Sequence, residues 1–267
     1  MPQQERVAGL RGMSKFSRDQ VKLRAMDYLR EDELPTVPRS FGHVTRAAPG
    51  GDWGMLGNQQ YGDCVLAGAA HEEMHWASST GKPIPAFNDR VIVQQYLDLT
   101  GGQNVGLDPV TVARHRRLNG IQDANGKSYK IESFASINSL KELEYAAYLF
   151  DSVGVGMYMP SSAEVRFQRH QPWTETDEDP DPNGGHYVPV IGRNSAGLWV
   201  CVTWRQLQAI SDAFLMKYCF DYAGGALAYF SLNYLKDTGK SPEAFDQEQL
   251  VADLNRVSNL PKGAANA

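Results

Sequence analysis

The hydrophobic period of this chain changes once, between Phe150 and Val153, and that change limits the folds open to it. Before it, apolar residues recur at helical spacing. Val65, Leu66, Ala69 and Ala70 predict a helix over 64–77, with Asp63 placed to cap its first-turn amides. Residues 88–99 read as a second helix, capped by Asn88 and stapled by Phe87 onto Ile92, and 109–118 as a third. Ser139-x-x-Glu142 is a capping box that opens a fourth helix ending near Phe150. Beyond the change, 153–159, 187–191 and 198–204 read as strands, the last two joined by a hairpin turn over 192–197. A helix over 211–220 and a strand over 226–231 follow. Helices first and strands afterwards specify an α+β fold, a helical half packed on an antiparallel β-rich half.

At 267 residues the chain fits one sizeable domain with extensions. Residues 1–50 read as an N-terminal arm, 51–235 as the folded domain and 236–267 as a polar tail whose extreme end is mobile. The arm holds nine Lys/Arg against six Asp/Glu, although the whole chain carries a net charge of −5. It is expected to form a helix over 17–31 and a proline-marked extended piece, and to pack on the body or on a protein assembly partner. The acidic balance argues against a nucleic-acid partner. No apolar run approaches the ~20 residues that cross a bilayer, so no membrane partner is expected. The first twenty residues lack the apolar core of a secretory signal, which points to a cytoplasmic or virion-associated protein. Cys64, Cys201 and Cys219 are too few and too scattered for a disulfide framework or a zinc site. The pattern calls for no cofactor and no metal, and for a reducing setting that suits a free thiol.

One of those thiols stands where chemistry is favoured. Cys64 closes the run Gly57-Asn58-Gln59-Gln60-Tyr61-Gly62-Asp63-Cys64 at the expected helix start, and His186 closes Asn183-Gly184-Gly185-His186 at a strand start. A free thiol has a pKa of about 8.5 and is a poor nucleophile at neutral pH. A helix N-terminus stabilises the thiolate, and a neighbouring imidazolium lowers its pKa further. Cys64 meets the first condition; His186 meets the second if the fold carries it across the intervening chain.

Asn-x-x-x-Gly-Asp-Cys before a helix, with Gly-Gly-His opening a strand, resembles the papain-like cysteine peptidase superfamily. In that family a Gln six residues before the nucleophilic Cys helps form the oxyanion hole, and a strand-borne His is the base. A Gly and then an Asn-Ser-Trp segment follow the His. Here Gly192 lies six residues after His186 and Trp204 eighteen after it, and the likeness covers roughly residues 53–232. The resemblance implies a thiol hydrolase, a peptidase or amidase acting on a peptide or amide substrate. Cys64 would be the nucleophile and His186 the base, with Asn58 and the Cys64 amide as oxyanion donors. Gln59 and Gln60 are fallback donors, Gly185 lines the cleft, and Trp204 roofs the imidazole.

The chain departs from the family where the orienting Asn belongs, since Val202 stands there and cannot accept a hydrogen bond. Thr203 has a hydroxyl, but strand alternation sends it to the face opposite Val202. It reaches His186 only through a shifted register; otherwise a backbone carbonyl orients the ring. A second reading fits the same residues: a weakly active or inactive papain-like scaffold that binds or assembles, such as a phage virion-associated accessory protein. A third is an acyltransferase- or transglutaminase-like use of the same pair.

Other clusters carry less. The acidic stretch from Glu175 to Gly184 opens like a calcium loop, but Val190 stands where the closing Glu belongs, so it reads as a solvated loop rimming the cleft and favouring basic or neutral substrates. His71 and His75 lie four apart on the Cys64 helix without a third ligand. Arg114-His115-Arg116-Arg117 reads as an exposed helix face.

Overall fold

The computed structural model describes residues 6–29, 34–42, 52–231 and 247–258. Its spine is a seven-stranded sheet built from β1 (Phe41–Gly42), β4 (Ser133–Ile137), β5 (Val153–Tyr158), β6 (Gly185–Arg193), β7 (Trp199–Thr203), β8 (Gln206–Ile210) and β9 (Gly225–Phe230). The order is β4-β9-β5-β6-β7-β8, every ladder is antiparallel, and β1 pairs with the far end of β6. Two short strands, β2 (Ile121–Gln122) and β3 (Ser128–Tyr129), form a separate ribbon.

Helix α1 (Cys64–Ser79) lies across β6 and is buried from Cys64 to Ala77. Gly68 lets it approach that closely, because a Cβ there would stand 2.7 Å from the Tyr187 ring. A helix buried on every side sits in the middle of a core, and its polar residues there must be answered from within it. Helices α2 (Asp89–Thr100) and α3 (Pro109–Leu118) pack on its other side, and α4 (Leu140–Phe150) packs against β9. Asn88 caps α2 by accepting from the Val91 amide at 3.0 Å, and Ser139 caps α4 by accepting from the Glu142 amide at 3.1 Å, as the sequence predicts. The α+β arrangement is the expected one.

Several expectations change. Of the helix expected over 17–31, residues 17–29 instead form two 3-10 turns, Arg18–Gln20 and Ala25–Tyr28, flanking an extended stretch, and residues 30 and 31 lie outside the described residues. The extended stretch lies along the outer strand of the sheet, where the Ser136 amide donates to Leu23 O at 2.8 Å. Pairing with an open edge outweighs a modest helix propensity. The expected helix over 211–220 starts as α6 (Asp212–Leu215) and widens into a π-helical turn, Met216–Phe220. Strands β4 and β8 and helix α5 (Ser162–Gln168) were not expected, each being short. The polar tail contains helix α7 (Gln247–Ser258), joined to the arm by the Tyr28 hydroxyl donating to Asp253 at 3.0 Å.

Arg116 is not on an exposed face. It is fully buried between α3 and α1, donating to Glu72 at 2.5 Å and Glu73 at 3.0 Å. The Tyr229 ring lies 4.6 Å away beneath its guanidinium, and Ser152 donates to the second Glu72 oxygen. Burial alone would lower its pKa, but the two carboxylates outweigh burial and raise it.

Candidate active site

The site is divided between a helix and a sheet. Cys64 is the first residue of α1, and Asp63 is its N-cap residue. The Asp63 carboxylate makes no cap bond; its Oδ1 accepts from the Asn58 amide at 3.1 Å instead. Burial raises the Asp63 carboxyl to about 8. Across the cleft, His186 is the second residue of β6, and its Nε2 lies 2.8 Å from Thr203 Oγ1 on β7. Cys64, His186, Asn58, Thr203, Val202 and Trp204 line one cavity of about 10 Å³, the lower limit for holding a single water.

Thr203 reaches the imidazole because of a bulge. Near the hairpin Gly192 stands opposite Val200, but two residues earlier in β6 Val190 stands opposite Cys201, only one residue further along β7. Ile191 is therefore the extra residue, and a one-residue slip reverses which face each side chain takes. With Val190 opposite Cys201, the face that holds Val188 and His186 also holds Thr203. Val202 turns to the other face and packs with Trp53, Met74, Ile191 and Val200. This is the shifted register that an orienting threonine needs. With Nε2–H donating to the hydroxyl, the lone pair falls on Nδ1, which has no hydrogen-bond partner among the described residues.

Trp204 lies tilted against His186, the ring centroids 4.7 Å apart, and meets Phe167 edge-on at 4.8 Å. It is placed by a two-residue turn, since Thr203 pairs with Gln206 and both Trp204 (φ 43°) and Arg205 (φ 61°) are left-handed. Such a turn normally takes Asn and Gly, and a non-glycine residue there costs on the order of 1–3 kcal/mol. Aromatic contacts of Trp204 and the Arg205 ion pair with Asp52 offset that strain.

What fills the cleft is the arm itself. The Leu10 amide donates to Asn58 O at 2.7 Å and the Met13 amide to Gly185 O at 2.9 Å. Leu107 donates to Gly12 O at 3.0 Å and accepts from the Ser14 amide at 3.1 Å. Three glycines of the body, Gly62, Gly106 and Gly185, make this approach possible; a Cβ on Gly106 or Gly185 would stand 2.3 Å from Gly12 O or 2.1 Å from Met13 O. Gly12 is pressed equally hard against Gly62, since a Cβ on it would stand 2.0 Å from Gly62 O. The only outward signal was the glycine spacing in Gly9-Leu10-Arg11-Gly12.

Occupation sets the charge state. Burial pushes the Cys64 thiol up to about 12, although backbone amides of Gly12, Tyr187 and Val65 pull the other way. Burial, aided by the charge of Arg11, pushes His186 down to about 3. The covered pair is thus neutral thiol and neutral imidazole, not thiolate and imidazolium. Helix-terminal stabilisation is worth about 0.3–2 kcal/mol, less than the cost of burying an anion. The arm offers Sγ the Gly12 amide, while Gly12 O is turned to Leu107.

The remaining sequence candidates are placed as follows. Asn58 Nδ2 donates to Tyr61 O and Asp63 Oδ1, both at 3.1 Å, so its donors are engaged within its own turn. Gln59 and Gln60 are exposed, and Gln59 donates to Asp89 at 2.7 Å. Gly185 lies under the arm. His71 Nε2 contacts Trp53 O and Gly54 O, whereas His75 faces Asp151 at 3.4 Å, so the two imidazoles do not converge. Among the described residues no His, Cys, Asp and Glu group is arranged to hold a metal ion. No described helix is long and apolar enough to cross a membrane.

Solved structures share this fold. Xylellain, a cysteine protease from Xylella fastidiosa, superposes with a TM-score of 0.59 at 11% identity, over 87% of this chain and 100% of its own. This is a papain-like fold. Procathepsin B from Trypanosoma congolense superposes at 0.56 and 13% identity, covering 81% of this chain and 85% of that one. A ragweed pollen cysteine protease in its proform gives 0.52 at 16% identity, over 76% and 70%. No protein-family profile and no curated protein matches the sequence.

Proposed function

We propose that this chain is a cysteine peptidase held latent by its own N-terminal arm. The observation that carries the reading is the 2.8 Å contact between His186 Nε2 and Thr203, which leaves Nδ1 free in a cavity shared with a thiol at a helix N-terminus. Once the arm leaves, water reaches both groups and the burial that keeps them neutral is relieved. Nδ1 then takes the thiol proton, and the thiolate attacks a peptide carbonyl carbon. The imidazolium returns that proton to the departing amine, and water hydrolyses the thioester to regenerate Cys64. The Cys64 amide stabilises the oxyanion; Asn58 joins it only by giving up one of its two present acceptors.

The test uses the full chain carrying Gly12→Val, whose side chain cannot fit against Gly62. Hydrolysis of a mixed fluorogenic peptide set is expected from this variant and is expected to vanish when Cys64→Ala is added. No hydrolysis, or hydrolysis that survives Cys64→Ala, overturns the reading. The committed Asn58 amide favours the alternative, a papain-like scaffold without turnover, and the first of those results would select it.

A further inference from the structure

The arm is anchored beside the catalytic pair through two arginines, and each enters a station made only of acceptors. Arg11 Nε lies 3.0 Å from Glu164 of α5; its Nη1 donates to Met159 O at 2.9 Å and lies 3.4 Å from Asp181. It sits over Gly184, two residues before His186, where a Cβ would come within 2.7 Å of the guanidinium. Arg6 donates to Gln206 Oε1 at 2.7 Å, Gln208 Oε1 at 2.8 Å and Leu207 O at 2.8 Å, and lies 4.9 Å over the Phe167 ring.

Both stations are organised by the body. Gln208 is 1% exposed, and its amide nitrogen donates to Gln171 O and Ala209 O. Those two carbonyls fix the amide so that its oxygen must face the Arg6 position. Asp181 Oδ1 accepts from the Asn183 amide at 2.9 Å, which leaves Oδ2 turned to Arg11. A guanidinium offers donors in a planar fork and satisfies three acceptors at once, which a lysine ammonium does not match. Beyond Arg11, the body glycines Gly62, Gly106 and Gly185 press on Gly12 and Met13 and leave room for no side chain at position 12, so selection by side chain falls to the stations.

We infer that the cleft takes extended peptides bearing arginine side chains at the Glu164–Asp181–Met159 and Gln206–Leu207–Gln208 stations. This rests on the peptidase reading for its chemistry, since it names the substrate class of that site, but the binding preference is separable from turnover. The arm is then a built-in copy of the ligand that the cleft prefers.

The test again uses the full chain with Gly12→Val, so that the stations are open to an added peptide. Two fluorescein-labelled copies of residues 5–16 serve as probes, one with both arginines and one with citrulline at both positions, which keeps the shape and removes the charge. Anisotropy titration is expected to give at least tenfold tighter binding of the arginine peptide. Adding Glu164→Gln and Asp181→Asn is expected to shrink the difference below threefold. Equal affinity of the two probes overturns the inference, and that comparison needs no station residue changed. Cleavage of both peptides at one rate would overturn the stations and leave the hydrolase intact. An arginine preference in binding without cleavage of either peptide would keep the stations and overturn the hydrolase.

Discussion

Two buried ionisable sites share helix α1, two turns apart, and different parts of the chain bury them. Glu72 and Glu73 are enclosed by the domain itself and answered by Arg116, which keeps its charge in a dry interior while burial raises both carboxyls, Glu73 to about 7. Cys64 is enclosed partly by the arm, has no oppositely charged partner among the described residues, and stays neutral. The first burial is permanent and the second conditional. A buried charge survives when it is paired and hydrogen-bonded, whereas an unpaired group surrenders its charge and regains it on exposure to water.

The largest expected effect breaks the permanent site. Arg116→Met leaves two carboxylates facing each other in the core and is expected to cost about 3–5 kcal/mol, read as a lower urea midpoint at unchanged slope. A loss below about 1 kcal/mol would show that the carboxylates had found other partners.

The conditional site is expected to open with pH. His186 is held below its ordinary value, so its contribution to the covered state is full above about pH 6.5 and is lost as pH falls toward 3. Cys64 is held above its ordinary value, so its contribution is full below about pH 9 and is lost as pH climbs toward 12. Hydrogen exchange of the Met13 amide, corrected for intrinsic rate, is expected to be slowest between these limits and about thirtyfold faster at pH 5. Protection that stays flat from pH 7 to pH 5 would mean that the arm does not cover the imidazole.

The smallest effect concerns what the sheet contributes. Thr203→Val removes one neutral hydrogen bond and is expected to lower kcat of the arm-displaced chain about tenfold with little change in KM. An unchanged kcat would assign the ring's orientation to Trp204 alone.

The helix order, the Cys64 helix start and the His186 strand start were legible because each rests on local period and capping. Thr203 was legible only as a conditional, because its face depends on a bulge at Ile191 and the pattern 187–191 is continuously apolar. Arg116 misled because a run of cations reads as solvated until its partners, forty-odd residues upstream, are brought beside it. The course of residues 17–29 was decided by the open edge at Ser136, a tertiary fact. The cleft-filling arm was hidden for the same reason: glycines at 9, 12, 62, 106 and 185 are individually ordinary, and their meaning lies in pairs.

The glycine-floored slot has a consequence for dosage. A tethered segment meets its site at an effective concentration in the millimolar range, whatever the amount of protein. A free peptide making the same backbone contacts must approach that level before it displaces the arm at equilibrium. Dilution, crowding and expression level therefore leave occupancy of the slot unchanged. The controlling event is severing or melting of the tether, after which the same contacts weaken from an intramolecular to a bimolecular bargain.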